Sequence, residues 1–261
     1  MDKDAFDTAI TYTAPGEIRL RGYPVEQIMG RVDFGSAVYL LLRGELPDAP
    51  IGGLVTAILV SSLDHGPSAP SVHGARLAAS TGAPLNACVA AGVLNINRYH
   101  GGAIQDCATA LREIVQRCDE RSIPLSQAVD DVLGEYRARR FRVAGFGHRL
   151  HPVDPRTGRL FALANEAGCC GRYVEACRLV ESGLHKQLGK KLPINVDGAI
   201  AAVLCELGFD TSLMNAFFII ARVPGLIAQA HEEMQRQRRM RRIVPGAHRY
   251  DGPEPRDLPD P

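Results

Sequence analysis

Six side chains in this 261-residue sequence combine reactive chemistry with a setting that can hold it: His65, His100, His148, Arg156, Asp197 and Arg222. Each has a glycine or proline within two positions. Segments of that composition form loops, and loops fixed between rigid elements carry a disproportionate share of chemistry. The residue types complement one another. A carboxylate and an imidazole can exchange protons with a substrate, and a guanidinium fork matches a carboxylate bidentately. Taken singly, each also has a structural use. Asp197 could cap a helix running on from Gly198, His65 could be a loop residue, and His100 could sit at a helix end against the dipole. Arg222 could be an arginine with its stem buried and its head paired.

The elements that must position these groups are helical by their spacing. Val174, Cys177, Val180, Leu184 and Leu188 step by three and four residues, as do Ile200, Val203, Leu204 and Leu207. Residues 37–42 read as a short buried helix stopped at Gly44 and Pro47, and residues 72–93 are rich in small side chains that permit close helix contact. The one strand-like pattern is a hairpin of residues 10–13 and 17–20 around Pro15-Gly16. Two breaker-rich segments interrupt the helices, Gly145-Phe146-Gly147-His148 through Asp154-Pro155-Arg156, and Lys190-Lys191-Leu192-Pro193-Ile194-Asn195-Val196-Asp197-Gly198. Pro253, Pro255, Pro259 and Pro261 make the last residues an extended arm. The expected fold class is all-α.

Composition excludes several functions. Hydrophobic residues make up 46%, enough for a sizeable core, and 30 basic against 29 acidic residues leave a formal charge of +1. That balance argues against a nucleic-acid partner, which draws on a clustered basic excess. Arg236, Arg238, Arg239, Arg241 and Arg242 do cluster, but without interleaved aromatics to stack bases, so a solvated helix end or a subunit contact is expected. The cysteines number seven, with no CxxC pair and no neighbouring histidine ligand; reduced thiols are expected, with neither disulfides nor a metal site. The acidic start Met1-Asp2-Lys3-Asp4 lacks an apolar leader, and no run approaches the ~20 apolar residues of a membrane span. No membrane association and a cytoplasmic location are expected. Apparent matches to a phosphate loop at 183–190, a zinc-protease helix at 231–235 and a dinucleotide loop at 145–147 each lack a required residue or flanking element.

Together the six residues, in their order and contexts, resemble the citrate synthase family. Ile18-Arg19-Leu20-Arg21-Gly22-Tyr23-Pro24-Val25-Glu26 and residues 37–47 are similar to that family's N-terminal signature. His100-Gly101-Gly102-Ala103, Gly145-Phe146-Gly147-His148-Arg149, Asp154-Pro155-Arg156 and Asn195-Val196-Asp197 follow in the family's order. Residues 64–76, beginning Asp64-His65-Gly66-Pro67, and Ile194-Asn195-Val196-Asp197-Gly198 resemble its citryl-CoA lyase branch, which includes the C-terminal module of ATP-citrate lyase.

The resemblance implies a shortened helical fold with a large domain (residues 1–100 and 206–261) and a small coenzyme A-binding domain (residues 101–205), in a homodimer. The chemistry of that family makes or breaks a bond at the α-carbon of a thioester through an enolate. So weak a carbon acid needs a carboxylate base and a donor for the oxyanion. By resemblance Asp197 is the base, His100 holds the enolate oxygen, and His148 exchanges a proton with the oxaloacetate carbonyl oxygen. His65, Arg156 and Arg222 would bind the polycarboxylate; Arg149, Lys190 and Lys191 would meet the phosphates of coenzyme A. The thioester is a substrate, and no permanently bound cofactor is expected. The implied substrates are citryl-CoA, or acetyl-CoA with oxaloacetate. The alternatives are a compact citrate synthase or related condensing acyltransferase, and a non-catalytic CoA- or carboxylate-binding subunit of a lyase assembly. Only sixteen residues separate Pro47 from Asp64, where synthases carry extra helices, and Ile243-Val244-Pro245-Gly246 lacks an arginine that synthases place there. The loss of that arginine weakens the synthase reading more than the lyase reading. His100 and Asp154-Pro155-Arg156 are synthase-like.

Overall fold

A computed structural model describes residues 7–148, 152–242 and 246–258. Three short strands, β1 (Thr11–Ala14), β2 (Glu17–Leu20) and β3 (Tyr23–Pro24), form an antiparallel sheet in sequence order. Thr11 pairs with Leu20 and Ala14 with Glu17, so Pro15-Gly16 is the turn, as the hairpin pattern predicts. Eleven helices follow among the described residues.

Local sequence sets where the helices begin and end. After the short α1 (Val25–Ile28), α2 (Phe34–Arg43) starts on Asp33, whose carboxylate accepts from Ser36 N–H, and stops at Gly44 in the left-handed region. Asp48 caps α3 (Ala49–Ser61) in the same way, with a proline in the first turn. The small residues between 72 and 93 allow α4 (Pro70–Ser80) and α5 (Leu85–Leu94) to touch. A Cβ on Gly92 would lie 2.8 Å from Leu226 and 3.0 Å from the Ser71 carbonyl. Beyond them lie α6 (Ala103–Arg121), α7 (Leu125–Ala138), α8 (Pro155–Glu166), α9 (Arg172–Leu188) and α10 (Val196–Glu206). The last helix, α11 (Met214–Arg236), follows a single 3-10 turn, Thr211–Leu213.

One continuous core runs from Val38 in α2 and Leu54 in α3, through Leu111 in α6 and Val180 in α9, to Val203 in α10 and Phe217 in α11. Two small clusters, one around Val72 and Leu226 and one around Cys88 and Ala230, fasten α4 and α5 to the C-terminal half of α11. Helix α11 therefore serves both bodies of packing. All seven cysteines are free thiols.

Helix α11 runs on through Pro224-Gly225. Proline lacks only the one N–H that the helix would have used, and Gly225 lets the loop carbonyl of Leu63 approach so closely that any Cβ would overlap it. One sequence expectation is corrected here: Thr211–Arg236, 26 residues long, holds an 18-residue stretch of mean hydropathy 1.5, so by length and composition it does match a membrane span. It packs against α3, α4, α5 and α6 and buries the charged Arg222 and Glu233, which is the environment of a core helix.

Candidate active site

The N-terminus of α10 is the centre of the site. Asn195, not Asp197, is its cap: the Asn195 Oδ1 accepts from Asp197 N–H (3.0 Å) and Gly198 N–H (3.2 Å). Asp197 thus stands inside the first turn with its carboxylate released from capping. Its Oδ1 is buried and accepts no hydrogen bond from any described residue. Burial raises the Asp197 pKa to about 6, against the opposing pull of Arg156 and Arg222. A carboxyl so placed passes between acid and base close to neutral pH.

The loop carrying His148 is stitched to the segment that leads into α10. Gly147 N–H donates to Pro193 O (2.7 Å), Asn195 N–H to Gly145 O (3.0 Å), and the Asn195 side-chain amide to Gly147 O (2.9 Å). Gly145 adopts φ +86°, and a Cβ there would lie 2.8 Å from both Cys107 Sγ and Gly198 Cα. Glycine is required for the two loops to meet. They bring His148 beside His65, the rings 5.7 Å apart and edge to face.

Asp154 joins the next pair of elements. Its buried carboxylate accepts from the Arg156 backbone N–H, from Arg156 Nε (2.9 Å) and Nη2 (2.8 Å), and from Val196 N–H (3.0 Å). One side chain therefore ties the N-terminus of α8 to that of α10 and aims Arg156, whose Nη1 also reaches Ser61 O (3.3 Å). Four donors hold the Asp154 pKa below the usual carboxylate range although burial opposes them.

His100 and Arg222 face one aromatic ring. The His100 ring lies edge-on to Phe218 at 5.4 Å, and the Arg222 guanidinium sits 4.6 Å from the same ring's centre. His100 does not occupy the expected helix-dipole position. It pairs with Asn97 through the backbone in the turn between α5 and α6. Its Nε2 lies 2.8 Å from the hydroxyl of Ser71, a fully buried residue in α4. Burial first, and the Arg222 charge second, lower the His100 pKa to about 4, so the imidazole is neutral at pH 7. The Ser71 hydroxyl can donate or accept, so this contact orients the ring of the neutral imidazole in either tautomer. Ser71→Ala is expected to lower turnover about tenfold, an effect within the usual range for a group orienting a general acid or base, with the thermal midpoint nearly unchanged; unaltered kcat would remove Ser71 from the account.

Arg222 is only 2% exposed. Its Nε donates to Ser62 O (3.0 Å), while its Nη1 is buried and donates to no described residue. Burial lowers its pKa. The expected paired head is therefore only half paired. The free donor and the unpartnered Asp197 oxygen are two buried polar atoms that a native interior would otherwise satisfy.

His65, His100, His148, Arg156, Asp197 and Arg222 are thus brought together around the N-terminus of α10. Lys190 and Lys191 are exposed just after α9 and immediately before this segment. Arg149 lies outside the described residues, as do 243–245, the region of the missing arginine. Arg242 and Arg249, either of which could replace it, are exposed. Among the described residues no three His, Cys, Asp or Glu side chains are grouped as metal ligands. Sequence reasoning missed Asp154 and Ser71 as positioning groups. It also missed Arg137, Arg139, Arg140 and Arg142, all exposed around the exposed Phe141, directly ahead of the His148 loop. None of these four arginines makes an ion pair with a described residue. Their density within six positions was the available signal.

A sequence profile described as citrate synthase, C-terminal domain, matches residues 52–243. A citrate synthase of Haloferax volcanii is 29% identical over 206 residues, 77% of this chain and 52% of that protein. The chain spans about half the length of that curated relative. The solved structure of a citryl-CoA lyase from Hydrogenobacter thermophilus is 40% identical, with TM-score 0.87 and 97% of each chain covered. An ATP citrate lyase of Methanosaeta concilii, solved with (3S)-citryl-CoA, shares the fold at TM-score 0.82 and 21% identity, over 97% of this chain and 43% of that one.

Proposed function

This chain belongs to the citrate synthase family, and from that premise we propose that it is a citryl-CoA lyase-type enzyme, cleaving citryl-CoA reversibly to acetyl-CoA and oxaloacetate. The observation that carries the reading is the pair of unsatisfied buried atoms, Asp197 Oδ1 and Arg222 Nη1, held beside a neutral His100. An ionisable carboxyl with one buried oxygen unpartnered among the described residues suits proton transfer at carbon, and a spare guanidinium donor suits a substrate carboxylate.

In the cleavage direction His148 takes the proton of the tertiary hydroxyl. The alkoxide electrons form the ketone of oxaloacetate as the carbon–carbon bond breaks. The released pair moves onto the thioester, giving an enolate whose oxygen accepts from His100. Protonated Asp197 then delivers its proton to the enolate carbon, completing acetyl-CoA. His65, Arg156 and Arg222 hold the carboxylates through these steps. Lys190, Lys191 and Arg149, joined by the arginines at 137, 139, 140 and 142, are the groups assigned in this reading to the coenzyme A phosphates. The thioester is substrate in this reading, and no permanent cofactor takes part.

Similarity over 97% of each chain to a citryl-CoA lyase supports the lyase over a compact citrate synthase, since the Haloferax volcanii citrate synthase is about one and a half times as long as this chain. Incubation with citryl-CoA separates the two: acetyl-CoA with oxaloacetate is the expected product, whereas citrate with free CoA identifies a synthase. Binding without turnover would identify a non-catalytic subunit. The same reading includes a homodimer, a cytoplasmic location without membrane or nucleic-acid partners, and closure of a small domain (101–205) on a large one (1–100 with 206–261) over the substrate.

The two directions require opposite states of Asp197, whose pKa is raised to about 6. Cleavage starts from the protonated acid, so its rate is expected to fall as pH rises through about 6. Exchange of the acetyl-CoA α-proton starts from the carboxylate and is expected to fall as pH drops through the same point. Parallel pH limbs for the two reactions would contradict the assignment.

A further inference from the structure

The His65 loop is held by one face of α11. Arg222 Nε donates to Ser62 O, Gly225 lies against Leu63 O, and Gln229 Nε2 donates to Asp64 Oδ2 at 2.9 Å. These positions, three and four residues apart, share a helical face. Asp64 Oδ2 also accepts from Gly66 N–H (3.1 Å), so the turn that carries His65 closes on the atom that Gln229 holds. Gln229 is itself oriented from behind. Its Oε1 accepts from Arg76 Nη1 (2.5 Å), and Arg76 Nε donates to Glu233 Oε2 (2.8 Å). Glu233, fully buried at its side chain, is clasped on its far side by Arg241 (2.7 and 2.8 Å).

An amide oxygen that accepts from Arg76 leaves the amide nitrogen no choice but to point at Asp64. The charge centres are balanced in order: Arg241, Glu233, Arg76, then neutral Gln229 and Asp64. A satisfied polar chain of this kind rigidifies what it joins. We infer that Gln229, oriented by Arg76 and Glu233, is a positioning residue that sets the His65 turn for binding the substrate carboxylate. The chain couples that turn to the segment after α11 through Arg241. The inference deepens the proposed function and rests on its assignment of His65 as a carboxylate ligand.

The substitution Gln229→Glu tests it with almost no change of shape. The new carboxylate still accepts from Arg76 but cannot donate to Asp64. Two readouts separate the device from the ligand assignment. Amide hydrogen exchange at Gly66, measured on the free full-length chain, is expected to accelerate about tenfold. Calorimetric affinity for oxaloacetate is expected to fall about tenfold, while affinity for acetyl-CoA and the thermal midpoint stay unchanged. Adding Asp64→Asn to Gln229→Glu is expected to recover neither readout, because the single oxygen that Gly66 and Gln229 share would have to become the amide nitrogen to meet the new carboxylate and would then no longer accept from Gly66 N–H. Unchanged Gly66 exchange in Gln229→Glu, or equal loss of both ligands, would overturn the positioning role. Accelerated exchange in a protein that binds no oxaloacetate even as wild type would retain the mechanical link and overturn the part of the inference that gives His65 a carboxylate.

Discussion

Asp197→Asn is expected to abolish exchange of the acetyl-CoA α-proton with solvent, a loss of about a thousandfold, within the range for removal of a general base. Affinity for the CoA thioester should hardly change, since the assigned phosphate-binding residues lie elsewhere. The stability of the free protein gives a second, independent reading. The folded-state pKa of Asp197 is raised from 3.8 to about 6, so the fold favours the protonated form. The stabilising contribution of the acid is complete below about pH 4 and is lost as pH rises through about 6. Asparagine carries no charge at any pH. At pH 8 the variant should therefore melt no lower than wild type, and its advantage should shrink as the pH is lowered towards 4. Unimpaired exchange in the asparagine variant would remove Asp197 as the base.

Arg222→Met is expected to produce the other large effect, on binding. Truncating one member of a buried hydrogen-bonded charge pair costs about 2–5 kcal/mol, or about thirtyfold to several thousandfold in oxaloacetate affinity. The free protein should lose far less. The Arg222 Nη1 has no partner among the described residues, and burial already disfavours the guanidinium charge; methionine keeps the apolar contact with Phe218 while giving up one bond to Ser62 O. A residue whose removal destroys ligand binding at little cost in stability is the signature of a site built for a ligand. If Arg222→Met instead unfolds the chain, or binds oxaloacetate as wild type does, Arg222 is a structural arginine.

The six reactive residues were legible because each sits next to a breaker, and breakers are read from sequence without knowing the fold. The helices were legible where one face is apolar, as from Val174 to Leu188. What escaped depends on contacts between distant segments. Asp154 looks like a local helix cap, and only the fold brings Val196 to its second oxygen. Asp197 looked like a cap because it opens an apolar helix, yet Asn195 lies two residues earlier and does the capping. The role of Gly225 escaped because its neighbour Leu63, the reason for the glycine, is far away in the chain. The arginines before Gly145 were overshadowed by the denser run at 236–242, although they directly precede the His148 loop in the sequence.

The claim that a thioester enolate is protonated by Asp197 after carbon–carbon cleavage is tested most directly by one reaction. Citryl-CoA is incubated with the enzyme in deuterium oxide, and the products are analysed by mass. The account predicts oxaloacetate together with acetyl-CoA carrying a single deuterium in its methyl group at early times, and neither product from Asp197→Asn. Citrate and free CoA as products, or acetyl-CoA formed without deuterium, would contradict it.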